Sequence, residues 1–364
     1  MSRPERDPRL IQKGRGATFN PEGRFESLAR EAVDDGWGSL EEEIPARETV
    51  LMPEPARSII SRNTSPDLGF SQSINPYRGC EHGCIYCYAR PAHAYVNLSP
   101  GLDFETKIFY KPDAAKLLEA ELSKPGYRCE LIMLAGNTDI YQPAECKFGI
   151  TRALLDVMSR YNHPVAMITK GAALMERDLD LLADLARRDL VQVTISVTSL
   201  KDEIKRGLEP RTSSPAARLR LMRKLSDAGV PVGVNVAPVV PLITDGEMEA
   251  ILEAAAEAGA KTAWYVLLRL PHEVAPLFRD WLNVHAPGKA EHVMSLIQQA
   301  RGGKDYDSRF GVRQRGEGEY ARMLQQRFAL ACRRLGLNRQ RWQPDHSKFK
   351  VPPKSGDQLS LLSA

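Results

Sequence analysis

Three cysteines fall within eight consecutive residues of this 364-residue chain: Cys80, Cys84 and Cys87, in the stretch CEHGCIYC. The chain has six cysteines in all, and the other three are scattered along it. That distribution is not a disulfide framework, and it fits a reducing compartment. Three thiols on one short loop are instead soft ligands that suit a metal centre.

The spacing of these thiols favours an iron–sulfur cluster with one open corner. Ferredoxin-type sequences supply four cysteines for a cluster, whereas this loop supplies three. The fourth iron of a cubane would then be free to bind a small molecule, as the open position of a catalytic zinc does. One alternative is a structural zinc ion completed by His82 or His93, as in a nucleic-acid-binding module. The other is that the three thiols are incidental core cysteines.

The elements that must position this loop alternate between strand and helix from about residue 70. Beyond a first strand leading into the cysteines, apolar strands are predicted at 130–136, 164–171, 191–199, 230–240 and 261–270. Helices are predicted at 111–124, 148–161, 177–188, 213–229 and 245–259. Apolar strands without alternation are buried on both faces, so the sheet should be parallel. Six such units predict an α/β fold, a partial (β/α)6 barrel with its chemistry beyond the carboxyl ends of the strands.

Two extensions flank the predicted core of residues 66–287. Residues 1–65 form a partly irregular N-terminal extension that contains an acidic stretch at 34–45. Residues 288–364 form a basic helical extension whose tail is expected to be loose after Leu337. The sequence has no apolar run long enough for a transmembrane helix and no secretory signal at its start. We therefore expect a cytoplasmic protein without a membrane partner.

The C-terminal extension concentrates positive charge. Residues 288–364 contain 15 Lys or Arg against 7 Asp or Glu, a net charge of +8, while the rest of the chain has 35 against 39, a net of −4. A basic surface of this kind can bind a phosphate backbone, so nucleic acid is a candidate partner. A solvated helix surface explains the same charges equally well. The arginines concerned lie on a predicted helix at 319–336: Arg322, Arg327, Arg333 and Arg334.

The cysteine spacing, with Tyr86 directly before the last cysteine, resembles the C-x3-C-x-Φ-C signature of radical S-adenosylmethionine (SAM) enzymes, in which Φ is aromatic. Several longer stretches strengthen that resemblance: SINPYRGCEHGCIYCYARPAHAY, SPGLDFETKIFYK, GNTDIYQPAE, LEPRTSSPAARLRLM and LLRLPHEVAPLFRDWL. Together they look like a bacterial radical SAM family of unassigned activity, distantly similar to spore photoproduct lyase. The resemblance covers about residues 10–340.

The resemblance implies one [4Fe–4S] cluster on the three cysteines, with SAM bound at the open iron. One electron, from a reductant protein such as flavodoxin or ferredoxin, would cleave SAM to methionine and a 5′-deoxyadenosyl radical that abstracts a hydrogen atom. The best-known spore photoproduct lyases have a cysteine just before the Thr-Asp stretch, which reads LAGNTD here. Because that stretch has no cysteine here, the thymine-dimer reaction itself is not supported. A DNA-repair-lyase-like reaction on nucleic acid is one candidate, and the substrate stays open, as does the oligomeric state.

The resemblance also implies cofactor contacts outside the cysteine loop. Tyr86 and Tyr88 resemble residues that pack around the adenine. Thr138 and Asp139 stand where relatives have a Gly-Gly-Glu stretch facing the cofactor's amino group, although Asp139 could equally form a turn. Further implied contacts follow the later strands: Lys170, Ser196, Arg211, Asn235 and Ala237.

Polar residues after the sixth strand are candidates for acid–base or substrate contacts. Arg269 and His272 lie in the stretch LLRLPHEVAP, and together with Asp139 they form the predicted catalytic set. Structural hydrogen bonding at the rim of the barrel is the alternative role for both. For Arg211 the alternative is an ion pair with Glu209 or Asp202.

Overall fold

The computed structural model describes residues 14–25 and 48–353, and its elements alternate between strand and helix. The strands are β1 (Val50–Pro53), β2 (Ile60–Arg62), β3 (Gln72–Ile74), β4 (Tyr77–Arg78), β5 (Lys107–Tyr110), β6 (Ile132–Leu134), β7 (Val165–Thr169), β8 (Val191–Val197), β9 (Val232–Val239) and β10 (Thr262–Leu267). The helices are α1 (Leu102–Thr106), α2 (Ala114–Leu122), α3 (Ala144–Phe148), α4 (Ile150–Arg160), α5 (Ala173–Arg177), α6 (Leu179–Arg187), α7 (Asp202–Leu208), α8 (Pro215–Asp227), α9 (Met248–Glu257), α10 (Val274–His285), α11 (Ala290–Gln299) and α12 (Gly318–Leu335).

The main sheet has seven strands in the order β10-β9-β8-β7-β6-β3-β2. Every neighbouring pair is parallel except β2 and β3, which run antiparallel. The six predicted strands are thus β3 and β6 to β10, and the predicted parallel α/β fold is confirmed. Among the described residues no pairing joins β10 to β2, so the sheet is an open, partial barrel.

Burial explains why these segments are strands. Val165, Ala166 and Met167 are consecutive in β7 and all buried, because helices cover one side of the sheet and the barrel interior lies on the other. Strands buried on both faces need apolar residues at consecutive positions, which explains why the sequence of these strands does not alternate.

Helix ends follow local capping chemistry. Ser214 accepts a hydrogen bond from the backbone N–H of Ala217 at 3.2 Å and begins α8, as predicted. Gly229, which follows that helix, has a positive φ of 77°. Ser213, the first residue of the predicted helix 213–229, instead accepts from the N–H of Ala172 at 2.8 Å. Pro112, inside the predicted helix 111–124, precedes the N-cap of α2.

The N-terminal extension contributes to the core domain rather than hanging free of it. Its strand β2 pairs with β3 in the main sheet, and β1 pairs with β5 in a second sheet of order β1-β5-β4. Residues 14–25 lie across the cysteine loop (residues 80–87), where Gly16 approaches Gly83. The acidic stretch at 34–45 lies outside the described residues.

The C-terminal extension packs on the outside of the sheet and then covers its far end. Helix α12 contacts α9 and β10. Beyond it, Asn338 exchanges two hydrogen bonds with the backbone of Ala263, and the ring of Phe349 lies 5.5 Å from that of Tyr127. The expectation of a loose tail after Leu337 is therefore wrong for residues 338–353, because an aromatic side chain anchors them.

A segment between α11 and α12 links the two open edges of the sheet. The carbonyl of Gln314 accepts from the N–H of Leu267 at 2.9 Å, at the end of β10. The adjacent Arg313 binds Asp67, in the connection between β2 and β3, at 2.7 Å. This segment forms a side wall for the space enclosed by the partial barrel. No helix among the described residues is long and apolar enough to span a bilayer.

We predict that Gly16→Ala destabilises the protein by about 1–3 kcal/mol, because a Cβ at Gly16 would lie 1.9 Å from the carbonyl oxygen of Gly83 and force two backbone segments apart. Chemical denaturation measures this loss. Gly69→Ala is the matched control, since a Cβ there meets no described atom within 4 Å; its effect should stay within about 0.5 kcal/mol. Equal stability of the two variants would contradict the close docking of the N-terminal segment.

Candidate functional site

The cysteine loop opens into a cavity of about 780 Å³ at the carboxyl ends of the parallel strands. Cys80, Cys84 and Cys87 all line it. Among the other predicted site residues, the cavity also brings together Tyr86, Tyr88, Thr138, Asp139, Lys170, Ser196, Asn235, Ala237, Arg269 and His272. Arg211 alone of the predicted set does not line it. A volume of this size is in the range of cofactor and substrate sites.

A buried arginine fastens the cysteine loop from behind. Arg90 is fully buried, and its guanidinium donates to the backbone carbonyls of Cys84 at 3.0 Å and Gly83 at 3.3 Å. Its charge is balanced by Glu105, which is also fully buried, at 2.5 Å. Glu105 in turn accepts from the N–H groups of the N-terminal segment, including that of Ala17 at 2.9 Å. One ion pair therefore joins the loop, α1 and the N-terminal extension.

The start of the loop is fixed by the segment after β6. The hydroxyl of Thr138 donates to the carbonyl of Gly79 at 2.7 Å, and the amide of Gln142 donates to the same carbonyl at 3.2 Å. Gln142 also accepts from the N–H of Glu81 at 3.0 Å. The predicted residue Thr138 thus holds the loop directly.

A second buried ion pair lies under Tyr86. Glu209 and Arg218 are buried and paired through Oε2 and Nη2. Glu209 also accepts from the hydroxyls of Tyr86 and Thr198. Burial alone would raise the pKa of Glu209, but Arg218, Lys170 and these hydroxyls outweigh it and lower the pKa to about 2. The tyrosine before the last cysteine is therefore oriented by a charged network.

Asp139 is already saturated with donors. Its Oδ1 accepts from the N–H of Tyr141 at 2.9 Å and the hydroxyl of Thr169 at 2.6 Å. Its Oδ2 accepts from the N–H of Lys170 at 2.8 Å, and the Nδ1 of His82 lies 3.3 Å away. Burial alone would raise the pKa of Asp139, but His82 and these hydrogen bonds outweigh it and hold the pKa below its ordinary value. The geometry matches the turn-forming alternative, and a contact with a cofactor ammonium stays a prediction.

Burial raises the pKa of two of the loop thiols, those of Cys80 and Cys84. Burial, then the Asp139 carboxylate and the other two thiols, raise the pKa of Cys80 well above its ordinary value. Burial also raises the pKa of Cys84 to about 12, although Lys170 partly opposes it. Metal binding at this loop must therefore displace protons, as thiolate ligation generally does.

Strands β8 and β9 place two predicted residues side by side. Ser196 and Asn235 are register partners in the parallel ladder. The side-chain oxygen of Asn235 is buried and has no hydrogen-bond partner among the described residues. A buried amide oxygen without a partner is costly unless a ligand satisfies it, so this atom marks a place for a donor group inside the cavity.

Three further predicted residues are Arg269, Arg211 and His272. The guanidinium of Arg269 lies 4.2 Å from the ring centroid of Tyr88. Arg211 pairs with Glu81 at 3.3 Å rather than with Glu209 or Asp202. His272 lines the cavity with a positive φ of 48°, which is uncommon for a residue with a side chain.

A sequence model described as the radical SAM superfamily matches residues 74–255, half of the chain. The chain belongs to the radical SAM superfamily. The resemblance inferred from the cysteine spacing is thereby confirmed, and the matched region lies within the predicted core of residues 66–287. That predicted boundary itself stays a prediction.

Uncharacterized proteins are among the relatives of this radical SAM protein. One from Mycobacterium tuberculosis is 38% identical over 217 residues, which is 59% of this chain and 64% of the relative. One from Methanocaldococcus jannaschii is 25% identical over 179 residues, 49% of this chain and 64% of the relative. The matches therefore span less than two thirds of the length of these relatives.

Solved structures share the radical SAM fold at low identity. A spore photoproduct lyase variant with bound AdoMet and dinucleoside spore photoproduct has a TM-score of 0.59 and 17% identity, covering 79% of this chain and 80% of that chain. Spore photoproduct lyase complexed with dinucleoside spore photoproduct has a TM-score of 0.57, with the same identity and coverage. This likeness confirms the fold.

The contacts of the two histidines also bear on the zinc alternative. The Nε2 of His93 donates to the carbonyl of Lys107 at 2.9 Å, and its ring packs against Phe104. His82 faces Asp139. Among the described residues, no three His, Cys, Asp or Glu side chains are grouped to hold a single metal ion. Membership of the radical SAM superfamily favours the open cluster site.

Sequence reasoning missed the residues that hold the radical SAM loop in place. Arg90, Glu105, Gln142 and Arg218 are buried polar side chains whose partners lie on other elements. Their spacing relative to the cysteines carries no signal, because each acts through tertiary contacts. No local pattern marks them: Gln142 is uncharged, and Arg218 is one of several cations in its helix.

We predict that Arg218→Met lowers the free energy of unfolding by about 3–5 kcal/mol, because it leaves the buried Glu209 carboxylate without its cation. Urea denaturation measures the loss. Arg334→Met removes an exposed pair with Glu253 and serves as the control, with an expected loss below about 1 kcal/mol. A loss at Arg218 no larger than that of the control would contradict the structural weight given to this pair.

Proposed function

We propose that this protein holds one [4Fe–4S] cluster on Cys80, Cys84 and Cys87 and binds SAM in the same cavity, to abstract a hydrogen atom from a substrate. The observation that carries the proposal is the convergence of three thiols and the unpartnered Asn235 oxygen on one cavity of about 780 Å³. The thiols suit iron and sulfide, and the amide oxygen suits a hydroxyl or amino donor of the cofactor.

The cofactor supplies the hard chemistry: reductive cleavage of the sulfonium to methionine and a 5′-deoxyadenosyl radical. The chain's own side chains bind, orient and shield. Ser196 and Asn235 offer polar contacts from β8 and β9, and Lys170 offers a cation beside Tyr86, 5.8 Å from its ring centroid. Burial lowers the pKa of Lys170, but Cys84 and Glu209 more than offset it and raise the pKa. Lys170 therefore stays charged and suits a carboxylate.

Protein atoms cover the cysteine loop on the side away from the cavity. Gly16 of the N-terminal segment lies against Gly83, and Arg90 and Glu105 occupy the space behind the loop without exposure to solvent. A reductant protein such as flavodoxin or ferredoxin is the proposed source of the electron.

For the substrate we propose nucleic acid, as in a lyase-like reaction. Support comes from the fold shared with spore photoproduct lyase, whose solved structures contain a dinucleoside. The basic helix α12 offers less support than its sequence suggested. Arg327 forms two contacts with Glu249, at 2.7 and 2.8 Å, and Arg334 pairs with Glu253, so only part of the positive charge is available.

We predict that anaerobic reconstitution with iron and sulfide loads about four irons per chain, and that dithionite then converts SAM to 5′-deoxyadenosine. Serine in place of Cys80, Cys84 or Cys87 should abolish 5′-deoxyadenosine formation and lower the iron and sulfide content. Cys146→Ser is the matched control, because Cys146 is exposed on α3 outside the cavity. Failure of the fully loaded protein to cleave SAM would refute the proposal.

We also predict that Asn235→Ala raises the KM for SAM about five- to tenfold, since the variant loses one hydrogen bond of roughly 1 kcal/mol. Iron content should be unchanged, because Asn235 lies on β9 and not in the cysteine loop. Initial rates of 5′-deoxyadenosine formation measure the KM. An unaltered KM would remove Asn235 from the cofactor site.

A further inference from the structure

Exposed aromatic residues, each with an arginine beside its ring, stand around the cavity. On one side, the guanidinium of Arg24 lies 5.4 Å from the ring centroid of Phe25 and 5.6 Å from that of Tyr95. The two rings lie 5.2 Å apart and are 54% and 68% exposed. Arg24 and Tyr95 both line the cavity. Exposed aromatics grouped in this way mark a binding surface rather than a core.

The segment between α11 and α12 carries a second group. Arg313, which lines the cavity, lies 4.8 Å from the ring centroid of Phe310, and that ring is 58% exposed. The pairing of Arg313 with Asp67 fixes its position. The third pair is Arg269 over Tyr88, whose ring is 45% exposed and which follows Cys87 in the chain. This last pair connects the exposed groups to the cysteine loop.

The cavity lining carries more positive than negative charge, although carboxylates outside the lining pair with two of its arginines: Glu273 with Arg24 at 3.4 Å and Asp67 with Arg313 at 2.7 Å. Its lining includes one carboxylate, Asp139, whose two oxygens already accept four protein donors. The Lys and Arg side chains of the lining are Arg24, Arg62, Lys170, Arg269 and Arg313. Among the described residues Arg269 has no carboxylate partner. A ligand with regularly spaced negative charges is complementary to such a lining.

We propose that an Arg–aromatic rim, made of Arg24, Tyr88, Tyr95, Arg269, Phe310 and Arg313, binds a single-stranded stretch of polynucleotide across the cavity mouth. The inference rests on the proposed function and names the state of the substrate and the surface that holds it. Exposed rings stack on bases, and arginines neutralise phosphates. In a duplex the faces of the bases are already stacked on one another, so the rings would have no partner.

The test measures binding of a fluorescein-labelled oligonucleotide of about 12 nucleotides by anisotropy, with the full chain reconstituted anaerobically. Single-stranded DNA, RNA of the same sequence and the matching DNA duplex are compared. We expect a single strand to bind at least about tenfold more tightly than the duplex. The DNA and RNA arms decide which sugar the rim accepts. Tighter binding of the duplex overturns the inference, and so does failure of both the DNA and the RNA single strand to bind.

Variants then locate the surface. Tyr95→Ala and Phe310→Ala should each weaken single-strand binding about tenfold, while Tyr95→Phe keeps the ring and should bind as the parent does. Arg269→Gln should make the negative slope of log affinity against log salt concentration less steep by about one. The double variant Arg322→Gln and Arg333→Gln, on the exposed face of α12, is the control and should bind normally. Weaker single-strand binding by that control, with normal binding by the rim variants, would place the binding site on α12 and overturn the inference.

Iron content and formation of 5′-deoxyadenosine without oligonucleotide separate this inference from the proposed function. If the protein loads its cluster and cleaves SAM but does not bind single strands, only the inference about the rim is contradicted. A protein that binds single strands but never loads a cluster contradicts the proposed function alone.

Discussion

The buried ion pair between Arg90 and Glu105 is the interaction on which the rest of the site depends. A loop that presents three thiols to one cavity must turn backbone carbonyls away from it, and those carbonyls then need donors. Arg90 provides these donors for Cys84 and Gly83, and Glu105 balances its charge while accepting from the N-terminal segment. The geometry of the loop is thus set by residues that never face the cavity.

The parallel sheet determines what can meet the loop. Because its strands all end at one edge, residues far apart in sequence converge there: Thr138 after β6, Lys170 after β7, Ser196 on β8, Asn235 on β9 and Arg269 after β10. The register of β8 and β9 sets Ser196 beside Asn235 without any local signal. The open side of the barrel leaves a mouth that a fully closed barrel of this size would lack.

The two extensions differ from the core in what they contribute. The core carries the cysteine loop and the polar residues proposed to bind the cofactor. Segments outside it supply Arg24 and Arg313, which line the cavity, and Phe310, whose ring lies beside Arg313. The proposed cofactor contacts thus come from the core, whereas the proposed rim combines core residues with residues of both extensions.

The sequence by itself identified the cysteine loop, the parallel direction of the main strands and the superfamily, because the spacing of thiols and apolar runs are local properties of the chain. Every predicted site residue except Arg211 lines the cavity, since positions after parallel strands share an edge. Only the tertiary structure decided that Asp139 is saturated by His82, Thr169 and two backbone donors, and that Arg211 pairs with Glu81. The tail likewise proved anchored by Phe349. These outcomes depend on which side chains from distant segments come within hydrogen-bonding or packing distance, and sequence spacing does not encode that.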